Sequence, residues 1–272
     1  MILVTGTMRS GTSMWMQILI AAGLPHLGEA FPADWGRSLE AANPRGFFES
    51  QLVAGIYHAT NPQPETGVYL FPQQTRQHAV KVFVPGLIRS DVAFLDRVIA
   101  TVREWREFSA SIERIARLAG GGTDREAELF GDVVPLSPAL RWWVENFALV
   151  RDIATRRYPA HVTTYGRLLG DPQREVAAVM KWLGAGNARA AADAVEPSLR
   201  SIQDVATPTS VSPTHAQIFD DLYGHLHEGS DLSPSFIALL NQTDAELRPR
   251  ITSALESQRA AVVQRLTHAS AS

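Results

Sequence analysis

The chain contains no cysteine. Disulfides, thiolate catalysis and cysteine-ligated zinc or iron–sulfur centres are therefore excluded. A reducing cytoplasm suits such a chain, and a cytoplasmic protein is the expectation. No apolar run approaches the ~20 residues that cross a bilayer, so no membrane span is expected. The N-terminus lacks a basic segment and residues 2–5 already read as a strand, so a signal peptide is not expected either. Nor does charge of one sign dominate. Lys and Arg number 25 against 28 Asp and Glu, for a net charge of -3. That balance gives no general attraction to nucleic acid, which is not an expected partner. Any anion site must be assembled locally.

What is present is 272 residues, 45% of them hydrophobic, enough for one large α/β domain or a domain with an appended subdomain. Ile2–Val4 reads as a buried strand, and "TSMWMQILIAA" (12–22) as an apolar helix stopped by Gly23. Residues 25–72, with scattered prolines and aromatics, read as irregular structure with short helices and as a wall for a substrate pocket. Further strands are expected at 78–85, 97–103 and 161–165. Helices are expected at 104–119, 137–158 and 170–184, the last with Asp171 as N-cap and Pro172 at its first position. The triple glycine in 120–128 reads as a flexible linker, and 187–272 as helical with a break at 207–214. Strands alternating with helices predict a doubly wound parallel sheet of about four to five strands. The whole chain reads as a single domain, with helices at 202–272 added to a core at 1–201.

The stretch "ILVTGTMRSGTSMW" (2–15) places a glycine-framed loop between the first strand and the first helix. Gly6-x-x-x-x-Gly11 fits the frame of a nucleoside-triphosphate loop, whose backbone N–H groups and helix N-terminus cradle phosphate. The lysine that should follow the second glycine is missing. Thr12 and Ser13 stand there, and a cation appears earlier, at Arg9. Such a loop holds one phosphate tightly and aims a cation at its outer, bridging oxygen.

"MRSGTS" (8–13) resembles the 5′-phosphosulfate loop of sulfotransferases that use 3′-phosphoadenosine 5′-phosphosulfate. The resemblance implies that Arg9, Ser10, Gly11, Thr12 and Ser13 hold the 5′ end of that donor, in a P-loop-like sulfotransferase fold. The family also carries an arginine at the end of a later strand and a serine eight residues on, both on the 3′-phosphate. Arg103 and Ser111 match, with Ser109 nearby. Arg103 is expected at the carboxyl edge of a parallel strand, where open α/β sheets bind ligands. "TTYGRLLGDPQREVAAVMKWLG" (163–184) resembles a later family stretch, which implies Tyr165 near the adenine. "VEPSLRS" (195–201) resembles a segment whose arginine approaches the 3′-phosphate, which implies Arg200. Together these pieces cover about residues 1–201. The implied product is adenosine 3′,5′-bisphosphate, and no metal is required because arginine and backbone dipoles supply the positive field.

Two departures matter. The tryptophan that stacks on adenine in the better-known cytosolic enzymes is replaced by Met14, with Trp15 one step on and on a different helix face. Their catalytic histidine, in Lys-Thr-His-Leu-Pro, is replaced by Phe83 in "KVFVP" (81–85), and phenylalanine takes no proton. Another group must then serve as base. Glu29 lies where carbohydrate and tyrosyl-protein sulfotransferases keep a glutamate, and it is slightly preferred. Glu49, in "NPRGFFES" (43–50), has Phe47 and Phe48 to desolvate it. His58 and His78 follow in order. His225 and His227 look like a metal pair but sit two apart, on different sides of a helix, and read as a solvated helix end. Trp142 and Trp143 read as core. The expected acceptor is a small-molecule, lipid or carbohydrate hydroxyl, or an amine. An ATP- and Mg²⁺-dependent kinase and a non-catalytic nucleotide-binding module of the same fold are the rival readings.

Overall fold

Ile2 and Val4 face one apolar layer and Leu3 the other, the period-two alternation of a strand covered on both faces. A computed structural model describes residues 1–30, 46–118, 136–200, 202 and 205–269. Strand β1 (Ile2–Thr5) runs into the glycine loop and then helix α1 (Thr12–Ala21). Two-residue strands follow: β2 (His26–Leu27), β3 (Glu29–Ala30) and β4 (Phe48–Glu49). Next come α2 (Pro72–Thr75), β5 (Ala79–Lys81), α3 (Val84–Arg89), β6 (Arg97–Val102) and α4 (Trp105–Leu118). The second half holds α5 (Pro138–Arg156), β7 (Ala160–Thr164), α6 (Tyr165–Gly170), α7 (Pro172–Leu183) and α8 (Ala188–Asp193). Helices α9 (Pro213–Glu228) and α10 (Pro234–Ala269) close the chain.

The main sheet has the order β2-β5-β1-β6-β7, with every pairing parallel. β3 and β4 form a separate antiparallel pair. Helices α1, α7 and α8 contribute to the apolar layer on one face; α3, α4, α5 and α9 contribute to the layer on the other. The fold is therefore doubly wound α/β, with β1 between β5 and β6. The carboxyl end of β1 opens where the strand order reverses, the place such sheets offer to ligands.

Several boundaries moved. The strand expected at 78–85 ends at Lys81, because Pro85 sits in the first turn of α3 and fixes helical φ there. The helix expected at 170–184 is preceded by a separate short helix, α6, capped by Thr164, and restarts with Asp171 as cap. β2 lies inside the segment read as irregular. Its two residues are too short to show a period, yet they pair with β5 as the fifth strand. The break near 207–214 is present, and a second falls between α9 and α10 at Gly229, where the chain turns left-handed (φ 70°). Phe219 of α9 stacks on Trp143 at 4.9 Å and lies beside Trp105 and Trp142, so this helix is integral to the core. The expected linker at 120–128 lies outside the described residues.

Candidate functional site

The loop after β1 is held from behind by β6. Alternation along β6 points Thr101, and Arg103 just beyond it, toward the loop face. The Thr101 hydroxyl donates to the Ser10 carbonyl at 3.0 Å, and Arg103 Nη1 donates to the Arg9 carbonyl at 3.3 Å. Within the loop, Ser10 Oγ donates to the Thr7 carbonyl at 2.7 Å. Gly6 passes so close to β6 that an added Cβ would meet the Thr101 carbonyl at 2.4 Å. Arg9 adopts left-handed backbone (φ 69°), a costly conformation for a residue with a side chain. Gly11 is also left-handed (φ 102°) and stands where α1 would have its cap, but no side chain caps the helix. Among the described residues no side chain accepts from the first N–H groups of α1, as an anion-binding helix start requires.

Three cations border this loop. Arg9 Nε donates to Ser111 Oγ at 3.1 Å, and its guanidinium lies 5.2 Å from the centre of the Phe47 ring. Burial, and then the charge of Arg103, lowers the Arg9 pKa to about 10, so the group stays charged at neutral pH. Arg103 is 5% exposed, lies over the Tyr165 ring at 4.6 Å, and pairs with Glu107 at 3.2 Å. Its own carbonyl accepts a hydrogen bond from Trp142 Nε1 at 2.7 Å. The third cation is Lys81, at the carboxyl end of β5 and 2% exposed. Its Nζ sits 2.6 Å from Glu49 Oε1 and 3.4 Å from Ser13 Oγ, and 4.7 Å from the Phe83 ring. Burial lowers the Lys81 pKa, and Glu49 offsets part of that.

Most of the residues picked out from the sequence therefore meet here, though not all as expected. Arg9, Arg103, Ser111 and Tyr165 form one cluster, and Arg200 joins it through an ion pair with Glu107. Tyr165 is 9% exposed and packs beneath Arg103 and beside Gly11. The hydroxyls of Ser10 and Ser13 serve the protein itself: Ser13 Oγ accepts from the Phe48 backbone N–H at 3.1 Å as well as from Lys81. Thr12 opens α1 and is 3% exposed. Glu29 and Glu49 prove to be directly opposite each other on the β3–β4 ladder. Their surroundings differ. Glu49 is half-buried on Lys81, whereas Glu29 is exposed and makes no hydrogen bond or ion pair among the described residues.

The histidines fare differently. His78 precedes β5 at its amino end, the edge of the sheet opposite the loop, and so drops out as a fallback base. His58 is exposed with its ring edge against Tyr57. His227 bonds Thr164 Oγ1 at 2.9 Å and His225 bonds Ser230 Oγ at 2.8 Å, both as helix-end contacts. Trp15 is fully buried in the α1 layer, and Trp142 and Trp143 are core.

Sequence reasoning missed two charged residues. Lys81 interrupts an otherwise apolar strand at its carboxyl end, and a lysine there is an anomaly that signals a partner. Glu107 lies one helical turn from Arg103, a spacing that predicts an ion pair. No protein-family model matches the chain, and no curated protein sequence matches it.

Proposed function

We propose that the chain is a sulfotransferase that moves a sulfuryl group from 3′-phosphoadenosine 5′-phosphosulfate to a hydroxyl, or an amine, of a small-molecule, lipid or carbohydrate acceptor. One observation carries the reading: Lys81, Arg9 and Arg103 border a lysine-free glycine loop and the uncapped start of α1, at the carboxyl edge of a parallel sheet. An elongated ligand with anionic groups at both ends fits such an arc. The loop N–H groups and the start of α1 take the 5′-phosphate. Arg103, Ser111 and Arg200 take the 3′-phosphate. The buried donor Arg200 Nε, which has no acceptor among the described residues, supports a further anion in that place.

The transfer is in line. The acceptor oxygen forms a bond to sulfur as the bond from sulfur to the bridging oxygen breaks. Arg9 offsets the charge growing on the departing side. Glu49 takes the acceptor proton. Its place beside Lys81 and the first turn of α1 favours it over exposed Glu29, reversing the preference drawn from the sequence. Lys81 Nζ donates to Glu49 Oε1 and so fixes where that carboxylate stands.

A kinase reading gains one observation, since Lys81 supplies from β5 the lysine that the loop lacks. Its ammonium is committed to Glu49, however, and a γ-phosphate would have to compete for it. A labelled-sulfate transfer screen over lipid, sugar and phenolic hydroxyls tests the main reading. Transfer that depends on Glu49 supports it. Transfer of label from γ-labelled ATP instead would establish the kinase.

A further inference from the structure

Two arginines that a 3′-phosphate would engage already share an anion, and that anion belongs to the protein. Glu107 lies in the first turn of α4 and is 9% exposed. Its Oε2 sits 3.2 Å from Arg103 Nε, and its Oε1 pairs with Arg200 Nη2. The carboxylate thus spans the end of β6 and the segment after residues 197–199, which are distant in sequence. A helix start favours an acidic side chain, but that effect needs neither arginine. Around the same place, Ser111 is 2% exposed and receives Arg9 Nε, while Arg200 Nε is buried without an acceptor among the described residues. Two arginines and one carboxylate leave a single positive charge for a phosphate ester that carries two negative ones. Glu107 and such an ester, both seated on the arginines at a few ångströms, repel each other with little water between them.

We propose that Glu107 is a built-in competitor: it occupies the Arg103–Arg200 pair in the absence of ligand and is displaced by a phosphate ester dianion. Resting on the donor reading above, the inference makes Glu107 a specificity-determining residue. Only an anion stronger than a carboxylate, such as a 3′-phosphate, wins the arginines. A bare 3′-hydroxyl leaves Glu107 in place.

The test is calorimetric titration of the full chain with adenosine 3′,5′-bisphosphate and with 5′-AMP, for wild type, Glu107→Gln and Glu107→Ala. The readout is the ratio of the two affinities in each protein. Both ligands meet the same folded fraction, so partial unfolding of a variant cancels. Removing a competitor that holds the site most of the time raises the apparent bisphosphate affinity about tenfold and leaves 5′-AMP unchanged. A ratio that rises in both variants supports the proposal. If wild type prefers the bisphosphate and the ratio is unchanged or falls in the variants, Glu107 merely positions the arginines and the proposal is overturned while the donor reading stands. Equal affinities for the two nucleotides in all three proteins overturn both.

Discussion

Lys81 and Glu49 face each other at 2.6 Å with little exposure to water. Breaking a buried pair from one side leaves a charge without compensation and costs more than the pair contributes. Glu49→Gln should therefore lower stability as well as turnover, and the two effects separate by measuring both. Turnover should fall on the order of 10²–10⁴-fold, the usual loss with a general base, while bisphosphate binding by the folded protein persists. Glu29→Gln, at an exposed position, should stay near wild type in both. A Glu29 variant that is inactive, beside an active Glu49 variant, would return the role of base to Glu29. Arg103→Ala should weaken bisphosphate binding by roughly 1.5–3 kcal/mol, a charge-assisted contact. Unchanged calorimetric affinity in a folded variant would assign Arg103 to structure alone.

At the scale of elements, the loop between β1 and α1 depends on close backbone approach. Gly6→Ala brings a methyl group to 2.4 Å from both the Thr101 carbonyl and Ser10 Oγ. Backbone does not yield as a flexible side chain does, so the loop must shift. A destabilisation of about 1–3 kcal/mol is expected, with loss of nucleotide binding. Thermal unfolding and titration check it, and a variant that binds normally would show that the loop is not the cradle. This element was the most legible part of the sequence, because an apolar run, a glycine frame and an apolar helix follow one another within residues 2–22. The cap at Asp171 was legible for a similar reason: one side chain at the helix start accepts a backbone N–H. The short strands β2, β3 and β4 were not, since two residues carry no period and their partners are distant in sequence. The site was half legible. Arg9, Arg103 and Ser111, singled out by the resemblance to the sulfotransferase loop and its later arginine and serine, are brought together. The Lys81–Glu49 contact joins residues 32 apart and exists only once the separate β3–β4 pair is brought to the carboxyl end of β5.

For the whole molecule, acid stability should report a cluster around Glu175. Glu175, on α7, lies 2.8 Å from Arg167 Nη2 and 3.5 Å from His161 Nε2. Burial alone would raise its pKa, but the neighbouring His161 and Thr163 and the charge of Arg167 prevail and hold it at about 2. A pKa below the unfolded value of 4.5 means stability that is present above about pH 4.5 and lost as pH falls toward 2. The shift corresponds to about 3 kcal/mol at neutral pH. Glu175→Gln should be less stable than wild type at pH 7 by an amount of that order, with the gap closing near pH 2 in denaturant unfolding. A gap of constant size would show packing, not charge, at work.

The central claim is that the arc from Lys81 through Arg9 to Arg103 is built for a nucleotide with anions at both its 3′ and 5′ positions. The most direct measurement is calorimetric titration of the wild-type chain with adenosine 3′,5′-bisphosphate, 5′-AMP, and ATP with Mg²⁺. The expected result is clear preference for the bisphosphate over both others, lost in Arg103→Ala. Equal binding of bisphosphate and 5′-AMP, or a preference for ATP with Mg²⁺, would contradict it.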